Sequence, residues 1–236
     1  MNLFIGYDRD EPVAYHTLVH SILRRASIPV SITPLVRPAL ASVGYTRLRG
    51  PLESTEFSMT RFLVPYLSRF TGQSVFMDSD MLCRVDLALL LATMWSEEYR
   101  DKAVVVCQHD YAPTSTTKFL NRPQTAYPKK NWSSLMVFNN AKCRALTPGY
   151  VNTATGLQLH RFEWLTAESQ IGALPFEWNW LVGDYPANPD AKILHFTNGG
   201  PWFEATAQVD GADEWRAERD AMLGLDLHQG VSHGVG

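Results

Sequence analysis

Hydrophobic and polar positions along this chain follow two different periods. Unbroken apolar runs stand at Leu3, Phe4 and Ile5, at Val75, Phe76 and Met77, and from Ala103 to Cys107. Runs this short without polar alternation predict strands covered on both faces. Between the first two runs the spacing turns helical. Asp10, Glu11 and Pro12 open a helix whose apolar stripe reads Val13, Leu18, Val19, Ile22, Leu23 and Ala26, with proline in the first turn. Val30 to Val36 is rich in β-formers but contains Pro34, which predicts an edge strand or a bulge. Gly44 to Pro51 reads as loop. Thr55 to Phe70 returns to helical spacing through Phe57, Phe62, Leu63 and Leu67, with Pro65 either kinking that helix or setting its first turn.

Further along, Leu82 to Val85 predicts a short strand, and Asp86 caps a predicted helix that runs to Trp95. Asp110 to Lys130 has no clear period and predicts a long surface loop. Strands are expected at Ser134 to Phe138 and Lys192 to Phe196, and helices at Ala141 to Leu146, Trp164 to Leu174 and Glu214 to Leu223. Strand and helix signals alternating in the first third imply an α/β fold with a mostly parallel sheet flanked by helices. Without an internal repeat or a long linker, one domain over residues 1–225 is expected, followed by a frayed tail over 226–236.

Composition narrows the function. The 236 residues are 45% hydrophobic with a formal net charge of -3, an ordinary globular balance. Basic residues cluster only as the pairs Arg24-Arg25 and Lys129-Lys130, which argues against a nucleic-acid partner. The chain opens directly on a strand, so no signal peptide is expected. Leu87 to Leu91, the longest apolar run, is too short for a transmembrane segment. Cys83, Cys107 and Cys143 are odd in number and far apart, which points to buried thiols in a reducing, cytoplasmic setting.

The candidate chemistry lies where the second apolar run stops. Asp78 and Asp80 follow Met77, and in extended backbone residues i and i+2 share a face. Ligands of open α/β sheets bind at the carboxyl ends of strands, and two neighbouring carboxylates can hold a divalent cation with positions left for phosphate oxygens. His195 also ends an apolar run and precedes Phe196-Thr197-Asn198-Gly199-Gly200-Pro201-Trp202. Two carboxylates and an imidazole suit Mn2+ better than Mg2+, although Mg2+ remains open. The glycines allow backbone N–H groups to approach a diphosphate closely.

Four motifs in order carry a family resemblance: the Phe4-Ile5-Gly6-Tyr7-Asp8 strand end, Met59-Thr60-Arg61-Phe62, Asp78-Ser79-Asp80, and His195 with its Gly-Pro-Trp turn. This order resembles the family 8 glycosyltransferases over about residues 1 to 205. The resemblance implies a GT-A type, Rossmann-like fold that transfers a hexose from a nucleotide-sugar, a UDP-sugar by preference, with retention of configuration. The acceptor is an unknown carbohydrate, lipid-linked or protein hydroxyl. Asp78, Asp80 and His195 would bind the metal; Tyr7 and Asp8 would hold the uracil and ribose; Ser79 would approach the ribose, and Arg61 the donor sugar. Ser134, Asn198, Gly199, Gly200 and Trp202 complete the expected nucleotide-sugar site. Glu168 or Gln170 would stand beside the transferred sugar and stabilise the cation formed at its anomeric carbon. Two positions depart from the pattern. Gly200 stands where the family carries a lysine, in a turn one residue shorter, and Trp132-Ser133-Ser134 replaces the usual Phe-Asn-x-Gly. The rival readings are a haloacid-dehalogenase-type phosphatase and a non-catalytic nucleotide-sugar-binding module.

Overall fold

Nine strands form two sheets in the computed structural model, which describes residues 1–51, 53–94, 96–110 and 128–225. In chain order they are β1 (Asn2–Gly6), β2 (Ser31–Leu35), β3 (Gln73–Met77), β4 (Met81–Cys83), β5 (Val104–Cys107), β6 (Leu135–Asn139), β7 (Ile171–Leu174), β8 (Trp180–Leu181) and β9 (Ile193–His195). The α-helices are α1 (Pro12–Leu23), α2 (Val64–Leu67), α3 (Ala88–Met94), α4 (Pro148–Thr153), α5 (Gly156–His160) and α6 (Ala212–Met222).

The larger sheet has the order β2-β1-β3-β6-β5-β7, and only β6 runs against the others. Its central strands are buried on both faces, with successive side chains going to opposite layers. Leu3, Ile5, Val75 and Met77 pack with Leu18 and Ile22 of α1, whereas Phe4 and Phe76 pack with Phe57, Phe62 and Phe138 on the other side. β2 lies at the sheet edge, where Pro34 removes no ladder bond that an inner neighbour would need. The smaller sheet, β4-β9-β8, packs Leu82, Leu194 and Phe196 against Trp215 of α6. Glu218 of α6 is buried, hydrogen-bonded to His20 and ion-paired to Arg24 and Arg25, which ties α6 to α1 and the residues that follow it.

Asp86 accepts the backbone N–H of Ala88 at 2.9 Å and so caps α3 as expected. Pro65 sits in the first turn of α2. The stripe on α1 is shifted from the expected one: Ala14, Tyr15, Leu18 and Ile22 face the core, and Leu23 is half exposed. The segment expected as a helix over Trp164 to Leu174 instead contains a single 3-10 turn and then β7. The edge of β5 decides this, because Ile171 to Leu174 pair in register with Val104 to Cys107, and long-range pairing overrides a weak local preference. Gly172 permits the fit, since a Cβ there would come within 3.0 Å of Val105. Ala141 to Leu146 holds only the 3-10 turn Asn140–Lys142. Helix formation is deferred to α4, capped by Thr147, and α5, capped by the reciprocal Thr155 and Gln158 pair. Most of the expected loop, at 111–127, and the expected tail at 226–236 lie outside the described residues. Among the described residues no helix is long and apolar enough to cross a membrane, and all three cysteines are buried and unbridged.

Candidate metal centre

The β3–β6 ladder continues one step past β3, where Asp78 N–H donates to the Ser134 carbonyl at 2.9 Å. The chain then turns into β4, whose Met81 pairs with His195 of β9. Phe196 N–H donates to the Asp80 carbonyl at 2.8 Å, so residues far apart in sequence are stitched side by side. Asp78, Asp80 and His195 each contribute a potential ligand atom, and these atoms lie within 4.8 Å of one another. Only 13%, 14% and 2% of the respective side chains remain exposed.

A directional hydrogen-bond chain orients the imidazole. The Ser134 hydroxyl donates to the Asn131 carbonyl at 2.6 Å and accepts the Asn179 amide N–H at 2.8 Å. With its NH2 thus committed, Asn179 turns Oδ1 to His195 Nδ1 at 2.9 Å. An amide oxygen only accepts, so the Nδ1 proton points at Asn179, and Nε2 is the ring nitrogen turned toward the carboxylates. Nε2 stands 3.3 Å from Asp80 Oδ1. In its neutral form the ring offers that nitrogen as a metal ligand beside two carboxylates. The donor set therefore fits a divalent ion, with Asn179 orienting the imidazole from behind.

Arg61 closes the other side. Its guanidinium is ion-paired with Asp78 Oδ1 at 2.8 Å, donates to the Ser133 carbonyl at 2.9 Å, and lies 4.9 Å from the centre of the Phe76 ring. The Ser133 hydroxyl shares a 2.7 Å hydrogen bond with Nδ1 of His160. Burial pushes the His160 imidazole down to about 3, and the Arg61, Arg47 and Lys130 cations act in the same direction. His160 is thus neutral and braces the segment that holds Arg61.

The remaining expected residues divide by position. Tyr7 lies half-buried past the end of β1, its ring edge-on to Tyr15 at 5.4 Å. Asp8 is buried and accepts the backbone N–H groups of Asp10 and Glu56 at 3.0 and 3.1 Å, which pins the β1–α1 turn. Ser79 is buried between the two aspartates. Asn198 donates to Asp184 at 3.0 Å. Gly199 takes φ +112°, which a side chain rarely tolerates, and its N–H closes the turn onto Phe196 O. Trp202 donates to Glu11 at 3.0 Å and packs 5.1 Å from Trp215. Its ring covers Gly200, where an added Cβ would lie 2.0 Å from a Trp202 carbon. A lysine cannot occupy that position without displacing the indole.

Glu168 and Gln170 are not brought to the cluster. They precede β7, and Gln170 O accepts the Ala103 N–H at the start of β5. That is the end of the sheet opposite Asp78. Gln170 spends its side-chain oxygen on the backbone N–H groups of Thr166 and Ala167, and Glu168 is exposed and paired with Lys129. The sequence reasoning gave no role to Asn179, Ser133 or His160. Asn179 ends the 3-10 turn Phe176–Asn179 just before β8.

The chain is 44% identical over 227 residues to Protein CDI of Arabidopsis thaliana, covering 92% of this chain and 85% of that protein. No protein-family model matches it. Among solved structures it is similar to the bifunctional glycosyltransferase WbbM, with a TM-score of 0.64 at 16% identity over 93% of this chain. The glycosyltransferase GlyE of Streptococcus pneumoniae gives 0.59 at 14% identity over 97% of the chain. The galactosyltransferase LgtC, solved with donor and acceptor sugar analogues, gives 0.59 at 11% identity over 94% of the chain. The chain spans 49% of WbbM and 63% of GlyE, but 96% of LgtC. At these identities the likeness is one of fold: the mixed α/β architecture of the GT-A glycosyltransferases.

Proposed function

The chain belongs to one family with Protein CDI of Arabidopsis thaliana, and from its fold and metal centre we propose that it is a metal-dependent glycosyltransferase of the family 8 type. It transfers a hexose from a nucleotide-sugar, a UDP-sugar by preference, to an acceptor hydroxyl on a carbohydrate, lipid-linked or protein substrate, with retention. The observation that carries this reading is the cluster of Asp78, Asp80 and His195, whose ligand atoms lie within 4.8 Å of one another at the carboxyl end of β3. Asp78, Asp80 and His195 would hold Mn2+ or Mg2+, and an ion bound there supplies positive charge to the departing nucleoside diphosphate.

The chain's own residues do the rest. Asn179 keeps the His195 proton on Nδ1, so Nε2 stays available as a ligand. Arg61, already desolvated against Phe57 and Phe76, is the fixed cation next to the carboxylates and the residue expected to meet the donor sugar. Tyr7 and Asp8 stand at the end of β1, next to β3 in the sheet, and supply the nucleoside side of the cleft. No basic side chain comes from the Gly200 turn, so neutralisation of the leaving group rests on the metal and Arg61. Oxocarbenium stabilisation by Glu168 or Gln170 would require the amino end of β7 to move toward the cluster, and the reading does not depend on it.

Titration calorimetry with UDP in the presence and absence of Mn2+, followed by an assay of UDP release from UDP-sugars, tests the proposal. Metal-dependent UDP binding with release of UDP supports it, and no metal-dependent nucleotide binding refutes it. The closed Gly200 position favours one second reading, a binding module without turnover. Metal-dependent nucleotide-sugar binding with no hydrolysis or transfer would select that reading.

A further inference from the structure

His109 follows the carboxyl end of β5, the end of the sheet that carries the metal centre. It is 3% exposed, and every part of it but one is held. The ring stacks on Phe176, with centroids 5.3 Å apart and planes 17° from parallel. Nδ1 shares a 3.0 Å hydrogen bond with the Tyr185 hydroxyl, and the main-chain carbonyl accepts the Trp132 indole N–H at 2.8 Å. Nε2 is buried and has no hydrogen-bond partner among the described residues. A buried polar atom left unpaired is costly, and holding it rigidly makes sense when a ligand completes it.

The surroundings say what kind of ligand. Burial brings the imidazole down to about 3, so the ring carries no charge for a phosphate to exploit. The Tyr185 pairing leaves Nε2 as either an N–H or a bare nitrogen, depending on which partner donates. A hydroxyl both donates and accepts, so it satisfies either form.

We propose that His109 is a specificity-determining residue whose Nε2 hydrogen-bonds a hydroxyl of the donor's sugar. This rests on the nucleotide-sugar reading above and adds the residue that reads the sugar, as distinct from those that hold the diphosphate. Tyr185 acts as its positioning residue.

The test compares Mn2+ alone, UDP with Mn2+, and a panel of UDP-glucose, UDP-galactose and UDP-N-acetylglucosamine with Mn2+, by calorimetry on the full chain. In His109→Phe, which keeps the stack on Phe176, the preferred UDP-sugar is expected to lose about tenfold in affinity, with Mn2+ and UDP affinities unchanged. His109→Gln, whose amide can reach a hydroxyl, is expected to recover part of that loss. Tyr185→Phe leaves the imidazole in place but unfixed, and is expected to weaken the same UDP-sugar about threefold. Equal UDP-sugar affinity in folded His109→Phe, Tyr185→Phe and wild type overturns the inference. So does a drop in affinity for Mn2+ alone, which would make His109 a metal ligand. If wild-type protein binds neither UDP nor a UDP-sugar with Mn2+, the underlying reading has failed and this inference falls with it.

Discussion

Arg61 and Asp78 form a 2.8 Å ion pair with only 7% and 13% of their side chains exposed. A largely buried pair contributes little net stability, because desolvation offsets attraction, but removing one partner strands the other. Arg61→Met is therefore expected to destabilise the metal-free protein by about 3 kcal/mol, since Asp78 is left beside Asp80 without its cation. Mn2+ should recover more stability in this variant than in wild type. Urea unfolding with and without Mn2+ measures both effects, and an equal gain from the metal in the two proteins would contradict the shared role of Asp78.

Asp80→Ala removes one ligand and relieves carboxylate repulsion, so the fold should survive while the centre does not. Mn2+-dependent release of nucleoside diphosphate is expected to disappear. Full turnover in this variant would rule the centre out.

Asn179 is not itself a proposed metal ligand, yet it hydrogen-bonds His195 Nδ1 and so orients the imidazole. Replacing it by Ala is expected to lower Mn2+ affinity by about 10- to 100-fold, the usual cost of losing such a partner. Calorimetry reads this directly, and unchanged affinity would show that the imidazole needs no orientation from behind.

Gly200→Ala places a methyl group against the Trp202 ring. Overpacking of this kind costs about 1–3 kcal/mol, and the displaced indole would also release Glu11. The expected signature is a lower melting temperature with a shifted tryptophan emission. An unperturbed variant would mean that the turn can open, and with it the place where a lysine is missing.

Acid sensitivity follows from His160. Its folded value is about 3, below the ordinary 6.5. The unfolded chain therefore takes up a proton that the folded chain refuses, and stability falls as pH drops from about 6.5 toward 3. The slope contributed by this one group is at most about 1.4 kcal/mol per pH unit. Denaturation curves between pH 7 and pH 4.5 should show this decline, and His160→Gln should flatten it. An identical slope in the variant would remove His160 from the account.

Much of the fold was legible because buried strands must be apolar and helices must start somewhere. Val75 to Met77, Ala103 to Cys107, Pro12 and Asp86 announced β3, β5, α1 and α3 within a few residues. β7 was not legible. Ile171 to Leu174 has no strong preference of its own, and the unpaired edge of β5 made it a strand. α4 and α5 were missed although Thr147-Pro148 and Thr155-x-x-Gln158 are start signals, because each helix is too short to show a period.

The candidate site divides in the same way. Asp78, Asp80 and His195 could be picked out because chemistry at a strand end needs particular side chains, and those are visible one residue at a time. Which nitrogen of His195 faces the carboxylates, which cation holds Asp78, and which end of the sheet receives Glu168 and Gln170 depend on neighbours 16 to 45 and more residues distant. Those relations follow from strand register and packing, which couple distant segments through hydrogen bonds and shape, and no local pattern of residues encodes them.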